Sequence, residues 1–164
     1  MQYLISDTHF NHTNVIKYCN RPFANAEEMN KYLIKQWNSV VKDDDTVYFL
    51  GDFCLGNRQT VIELGKQLNG HKILIMGNHD RVTKTAFTEA GFEEVYKKPT
   101  VFKFGNSELL LSHAPVYDTD YNNVCGHVHD MNINDKKHFC VCVEQINYTP
   151  IELEKVLEYF REQA

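Results

Sequence analysis

Ile73-Leu74-Ile75-Met76-Gly77-Asn78-His79-Asp80 is the stretch that decides the reading of this chain. A short apolar run stops at a glycine, and three side chains able to ligate a metal or move a proton come at once after it. A buried parallel strand delivers chemistry to the rim of a sheet in this way. Working outward, the same pattern occurs upstream in Tyr3-Leu4-Ile5-Ser6-Asp7-Thr8-His9 and in Val47-Tyr48-Phe49-Leu50-Gly51-Asp52. Downstream it returns in Leu109-Leu110-Leu111-Ser112-His113 and in Val124-Cys125-Gly126-His127-Val128-His129. Packing does not call for Asp, Asn or His at five separate strand ends. Together they read as one metal site assembled from the whole fold.

The segments between these runs set the architecture. Residues 2–6 read as a buried strand and 12–18 as a short helix. Asn25 and Glu28 form a capping box ahead of a helix whose apolar face is Met29, Leu33, Trp37, Val40 and Val41. Asp43-Asp44-Asp45 reads as a solvated turn before strand 46–50. A helix is predicted over 59–68, stopping at Asn69-Gly70, then strand 72–76 and a helix over 82–90 closed by Gly91. Alternating strands and helices argue for a parallel sheet. In the second half, 100–104 and 108–112 flank Gly105-Asn106 as a hairpin with a type II′ turn. Strands near 122–125 and 138–143 come next. The last helix is predicted to start with Thr149 as N-cap, Pro150 at the first helical position and Glu152 closing the box. The expectation is an α/β (α+β) fold, a single domain over 1–164, with two packed mixed β-sheets flanked by helices and loops gathered on one edge.

Composition narrows the partners. The chain has 164 residues, 43% hydrophobic and 24% charged, with a net charge of −5. Sustained binding of a long nucleic-acid duplex leaves a basic stripe, and none is visible, so no such partner is expected. A small anionic substrate remains open, because bound metal ions supply positive charge locally. The five cysteines, at 19, 54, 125, 140 and 142, form no CxxC pair and read as reduced, mostly buried thiols. No apolar run approaches membrane-span length and no leader precedes the first strand, so a cytoplasmic protein without membrane contact is expected.

Residues i and i+2 of a strand face the same way, so Asp7 and His9 are expected to clasp one ion together, and His127 and His129 repeat that spacing. Asn78 and His79 are adjacent and should point apart, one toward metal and the other toward substrate. Asp52, at a strand end after Gly51, is free to bridge two ions through its two carboxylate oxygens. Carboxylate, imidazole and amide ligands without thiolate suit first-row divalent metals better than calcium or a structural zinc.

Asp7-x-His9, Gly51-Asp52, Gly77-Asn78-His79-Asp80, His113 and Gly126-His127-x-His129 resemble the full motif set of the calcineurin-like metallophosphoesterases, over about residues 1–143. The resemblance implies the family's β-sandwich. It implies one metal held by Asp7, His9, Asp52 and His129, and a second held by Asp52, Asn78, His113 and His127. His79 matches the family's catalytic histidine. Protein serine/threonine phosphatases of the superfamily carry a second Asp where this chain has Leu55, and a Glu where it has Asp80, which argues against that activity. Nuclease members acting on DNA ends add a capping domain for which this chain has no room. Phe10-Asn11-His12 and the segment 18–23 look more like small single-domain phosphoesterases of bacteria and phages.

The implied function is dinuclear metal-dependent hydrolysis of small phosphodiesters, cyclic or other nucleotides among them, by a metal-bridging hydroxide. Mn²⁺ is the expected metal, ahead of Ni²⁺, Zn²⁺, Fe or Mg²⁺. The alternatives are a phosphomonoesterase using the same site and a non-catalytic metal-binding scaffold, against which His79 counts. Asn11, His12, Arg21 and Arg58 are candidates for binding the substrate phosphate. With no inserted cap, the metal edge is expected to be open and shallow.

Overall fold

Apolar runs at four places build consecutive parallel strands. In the computed structural model, which describes residues 1–164, these are β1 (Gln2–Ile5), β2 (Thr46–Phe49), β3 (His71–Ile75) and β4 (Phe92–Tyr96). Helices α1 (Thr13–Tyr18) and α2 (Ala26–Val40) connect β1 to β2, α3 (Arg58–Gly65) leads to β3, and α4 (Lys84–Glu89) leads to β4. The chain then crosses to a second sheet of β5 (Thr100–Phe104), β6 (Ser107–Ser112), β7 (Asn122–Cys125) and β8 (His138–Cys140), in that spatial order. Only the β5–β6 hairpin is antiparallel there. Gly105 has φ +60° and Asn106 stays out of the left-handed region, as a type II′ turn requires. Finally β9 (Ile151–Glu152) returns antiparallel beside β1, giving the first sheet the order β4-β3-β2-β1-β9, and α5 (Leu153–Gln163) closes the chain.

Two apolar layers result from the period-2 alternation of the strands. Tyr3, Ile5, Val47, Phe49 and Leu74 face the helices, where Met29, Leu33, Trp37, Val61 and Phe87 cover them. Leu4, Tyr48, Leu50 and Ile75 face the second sheet and meet Phe104, Leu109, Leu111 and Val124, with Leu153, Val156 and Phe160 of α5 inserted alongside. Two mixed sheets with helices outside are therefore the architecture expected from the sequence. The sheets join where it matters. Ser6 N–H donates to Val141 O (2.9 Å) and Val143 N–H to Ser6 O (3.2 Å), immediately before Asp7.

Four local expectations need correction. β4 was not anticipated, because Phe92 and Val95 are buried while Glu93 and Glu94 between them are exposed. A bulge at Glu93 of β4, opposite the Lys72/Ile73 step of β3, accommodates this broken alternation. The helix after Thr149 does not start there: Ile151 and Glu152 add to the edge of β1, and Glu152 becomes the N-cap. α3 ends at Gly65 rather than at Asn69-Gly70, and there a Cβ would lie 2.5 Å from Ala90 O. In the 43–45 turn Asp45 is buried, accepting the Lys42 N–H (2.8 Å) and pairing with the Met1 amino group. Half of the capping box at Asn25 forms: its side chain accepts the Glu28 N–H (2.9 Å), while the Glu28 carboxylate accepts the Ala24 N–H (2.7 Å) in place of the Asn25 N–H.

Candidate metal centre

The carboxyl ends of β1, β2, β3, β6 and β7 bring the polar residues together, but not by strand pleat. Asp7, His9, Asp52, His127 and His129 all lie beyond their strands with left-handed backbone, at φ values of +58°, +49°, +58°, +72° and +52°. Asn11 comes next at +62°. The convergence of Asp7 with His9 therefore comes from left-handed pivots and not from the alternating faces of a strand. The expected reason was wrong for Asp7 and His9, and His127 and His129 do not clasp one site: His127 lies with Asp52 and His113, His129 with Asp7 and His9. Each pivot costs an L-residue about 1–2 kcal/mol, so the surroundings must hold it. Backbone bonds that continue the β1–β2 pairing past both strands do this: Asp7 N–H to Gly51 O (2.9 Å), His9 N–H to Asp52 O (3.1 Å) and Phe10 N–H to Phe53 O (2.9 Å).

Two groups of ligand-competent atoms result, Asp7–His9–His129 and Asp52–His113–His127, each with its atoms within 4.8 Å of one another. In the first, His9 Nε2 lies 3.6 Å and His129 Nε2 3.9 Å from Asp7 Oδ1. In the second, His113 Nε2 lies 2.9 Å from Asn78 Oδ1 and 3.2 Å from His127 Nδ1. Asp52 stands between them. Its Oδ2 is 3.4 Å from His9 Nε2 and 3.4 Å from His113 Nε2, while its Oδ1 accepts the His79 N–H at 2.8 Å. One oxygen faces both groups, which replaces the expected use of two. Asn78 and His79 do diverge: the His79 ring sits 5.4 Å from that of His9 and 6.1 Å from that of His12.

Three buried side-chain atoms have no hydrogen-bond partner, Asp7 Oδ1, His9 Nε2 and Glu144 Oε2, and the first two lie 3.6 Å apart. Orphans of this kind are costly, and a pair aimed at one space suits a cation that both would ligate. The imidazole tautomers fit as well. His113 Nδ1 faces Leu50 O at 2.8 Å, and His129 Nδ1 faces Glu144 Oε1 at 3.1 Å, leaving each Nε2 turned toward the ligand groups. Burial pushes the Asp7 carboxyl up, but His9 and the charges of His113 and His129 outweigh it and hold it below the ordinary range. For His113 burial pulls down, and Asp52 with Asp7 overcomes it, lifting the imidazole to about 9. A third group, Cys19–His129–Glu144, shares His129 with the first. There burial and then Glu144 push the Cys19 thiol up to about 11, which makes it a poor thiolate ligand.

Comparison with known proteins settles the family: the sequence profile of calcineurin-like phosphoesterases matches residues 3–159. The chain belongs to that family. Membership implies metal-dependent hydrolysis of a phosphoester. This phosphoesterase is 41% identical, over 95% of its length, to an uncharacterized protein of Methanocaldococcus jannaschii, covering 89% of that protein. It is 40% identical to the gene 66 protein of Mycobacterium phage L5, over 67% of this chain and 61% of that one. Among solved structures, a protein of unknown function from Aquifex aeolicus superposes with a TM-score of 0.79 at 27% identity, covering 96% of this chain and 98% of the other. The nuclease MPE of Pseudomonas putida shares the fold at 22% identity and a TM-score of 0.53, covering 78% and 61%.

The structure also shows what surrounds the ligand-bearing loops of the phosphoesterase. Arg21 is not a phosphate clamp. It is 3% exposed, and its guanidinium donates to Asp7 O (2.6 Å), Thr8 O (2.8 Å) and Glu144 Oε1 (2.8 Å). Arg58 pairs with Glu89 at the end of α4 and is not brought to the histidines. Asn11 exchanges bonds with Asn30 of α2, its N–H donating to Asn30 Oδ1 at 3.0 Å. His12 does join the site, half-buried, its Nδ1 3.1 Å from His9 Nδ1. Sequence reasoning missed Glu144 and Cys142. The Cys142 thiol donates to Asp7 Oδ2 at 3.3 Å and accepts the His129 N–H at 3.2 Å. Asp80 accepts three backbone N–H groups, from Asp52 and Gly77 (2.8 Å each) and from Phe53 (2.9 Å), so it ties two loops together rather than orienting His79. Gly77 is required at this contact, where a Cβ would lie 2.2 Å from Asp52 Oδ1.

Proposed function

We propose that this chain is a dinuclear metal-dependent phosphoesterase that hydrolyses small phosphodiesters, nucleotides among them. Asp7, His9, Asp52 and His129 hold one ion, Asp52, Asn78, His113 and His127 hold the other, and His79 protonates the departing oxygen. The observation that carries this reading is Asp52 Oδ2, equidistant from His9 and His113. When bound there, the ions would supply Lewis-acid charge and lower the pKa of a bound water toward neutrality. The protein's own part is positioning. Glu144 and the Leu50 carbonyl fix the rings of His129 and His113. The bond from the His79 N–H to Asp52 ties the proton donor to the bridging carboxylate. Imidazole-rich ligation favours Mn²⁺ over Mg²⁺.

Turnover of bis-p-nitrophenyl phosphate, compared with p-nitrophenyl phosphate, tests the reading directly. Activity should vanish with a chelator, return with Mn²⁺, and favour the diester. Metal-independent turnover, or none after Mn²⁺ loading, would sink it.

Stability of the metal-free protein should carry the same signature. The folded value of His113 lies above its ordinary 6.5, so its contribution is complete below pH 6.5 and is lost as pH rises through about 9. At ~1.4 kcal/mol per pKa unit this contribution is on the order of 3 kcal/mol. Asp7 and Asp52 are depressed, so theirs is present above about 3.8 and lost as pH falls through their folded values. Thermal melts in a chelator should therefore fall from pH 6.5 to 9.5. The gain in Tm on adding Mn²⁺ should grow over the same interval, because His113 must lose its proton to ligate. A flat metal-free profile would contradict the charge assignment at His113.

A further inference from the structure

Beside Asn78, His113 and His127 a cleft of about 370 Å³ opens away from the first ligand group. That volume lies within the ~300–1,000 Å³ range of small-molecule sites. Lys97-Lys98-Pro99, the crossover from β4 to β5, and Ala114-Pro115-Val116 after β6 line it. The crossover reaches the rim because Met76 N–H donates to Tyr96 O at 2.8 Å, which sets the end of β4 beside Gly77-Asn78-His79. The metal edge is thus less shallow than the sequence implied.

We propose that this cleft is an anion subsite, in which Lys97 and Lys98 take a second phosphate carried by a nucleotide-type substrate beyond the scissile one. The inference rests on the phosphoesterase reading above and narrows its substrate class. Three observations carry it. First, neither lysine forms an ion pair or a side-chain hydrogen bond, in a chain with a net charge of −5. The acids of the adjoining strand are occupied elsewhere, Glu93 with His71 and Glu94 with Tyr96. Second, the 114–116 segment of the lining is held in place: Val116 N–H donates to Asn123 Oδ1 (2.8 Å), His138 Nε2 meets Val116 O (3.1 Å), and Ser112 Oγ donates to Ala114 O (2.7 Å). A pre-formed wall spares the ligand the cost of ordering it. Third, Ile75, Met76, Ala114 and Val116 add apolar surface to the lining, which suits a sugar or base between two phosphates.

The test uses two chromogenic esters with the same scissile bond: the p-nitrophenyl esters of thymidine 5′-phosphate and of thymidine 3′,5′-bisphosphate. With Mn²⁺ the full chain should prefer the bisphosphate ester by about tenfold in kcat/KM, mainly through KM and less so at high salt. In Lys97→Gln/Lys98→Gln the ratio should fall toward one, and in Lys97→Glu/Lys98→Glu below one. Calorimetric titration of thymidine 3′,5′-bisphosphate should show the same loss of affinity. A wild-type ratio near one, or a ratio and affinity unchanged in both variants, would overturn the subsite. Should the wild-type protein hydrolyse neither ester, the phosphoesterase reading fails by itself. The calorimetric comparison then still decides for or against the lysines.

Discussion

Asp52→Asn should strip both ions from the protein together and lower kcat by at least about 10³-fold, since metal Lewis acidity supplies several kcal/mol of transition-state stabilisation. The reason is local. One carboxylate oxygen accepts the His79 N–H while the other stands 3.4 Å from His9 and from His113. An amide can keep its oxygen on the His79 N–H, and then its NH₂ points at both ion positions. Turned over, it sets NH₂ against N–H. Neither orientation restores a bridging anion. Metal analysis after gel filtration, with His113→Ala beside it, gives the decisive comparison. The His113 variant should lose mainly the ion of its own group, and full double occupancy in Asp52→Asn would remove the bridge.

His79→Ala should behave in the opposite way, keeping both ions and losing about 10²–10⁴ in kcat, the usual contribution of a positioned proton donor. Retention is expected because the contact to Asp52 comes from the backbone N–H of His79, which alanine keeps. The loss should shrink for p-nitrophenolate, which needs little protonation, and widen for an alkoxide leaving group. Equal losses for both would mean that His79 positions the phosphate or tunes a metal instead.

Much of the fold was legible because burial and chemistry share one pattern in this chain. Apolar runs such as Val47–Leu50 and Ile73–Met76 are buried on both faces, and each run gives way to a ligand-type side chain within two residues of its end. β4 escaped notice because its bulged pairing with β3 breaks the alternation, leaving Glu93-Glu94 exposed between Phe92 and Val95. The start of α5 was misplaced because Thr149-Pro150 has the chemistry of a helix start, whereas pairing with β1 won Ile151 for the sheet. At the site the ligand candidates were visible, but their supports were not. Glu144 comes directly after Cys140–Val143, an apolar run ending in a polar side chain like the other five, and that signal could have found it. Arg21 could not have been placed from sequence, since a buried anchor and an exposed clamp use the same residue. Its three oxygen acceptors lie in two segments far apart along the chain.

The left-handed pivots at Asp7, His9, Asp52, His127 and His129 set a limit on engineering. Glycine would relax each of them, and a library selected only for heat resistance should drift toward it there, each exchange relieving on the order of 1 kcal/mol of strain. Every such gain would delete a carboxylate or an imidazole from the ion-binding set. Thermostabilisation of this chain therefore has to be selected with metal present and turnover scored, or confined to surfaces such as the exposed faces of α2 and α5.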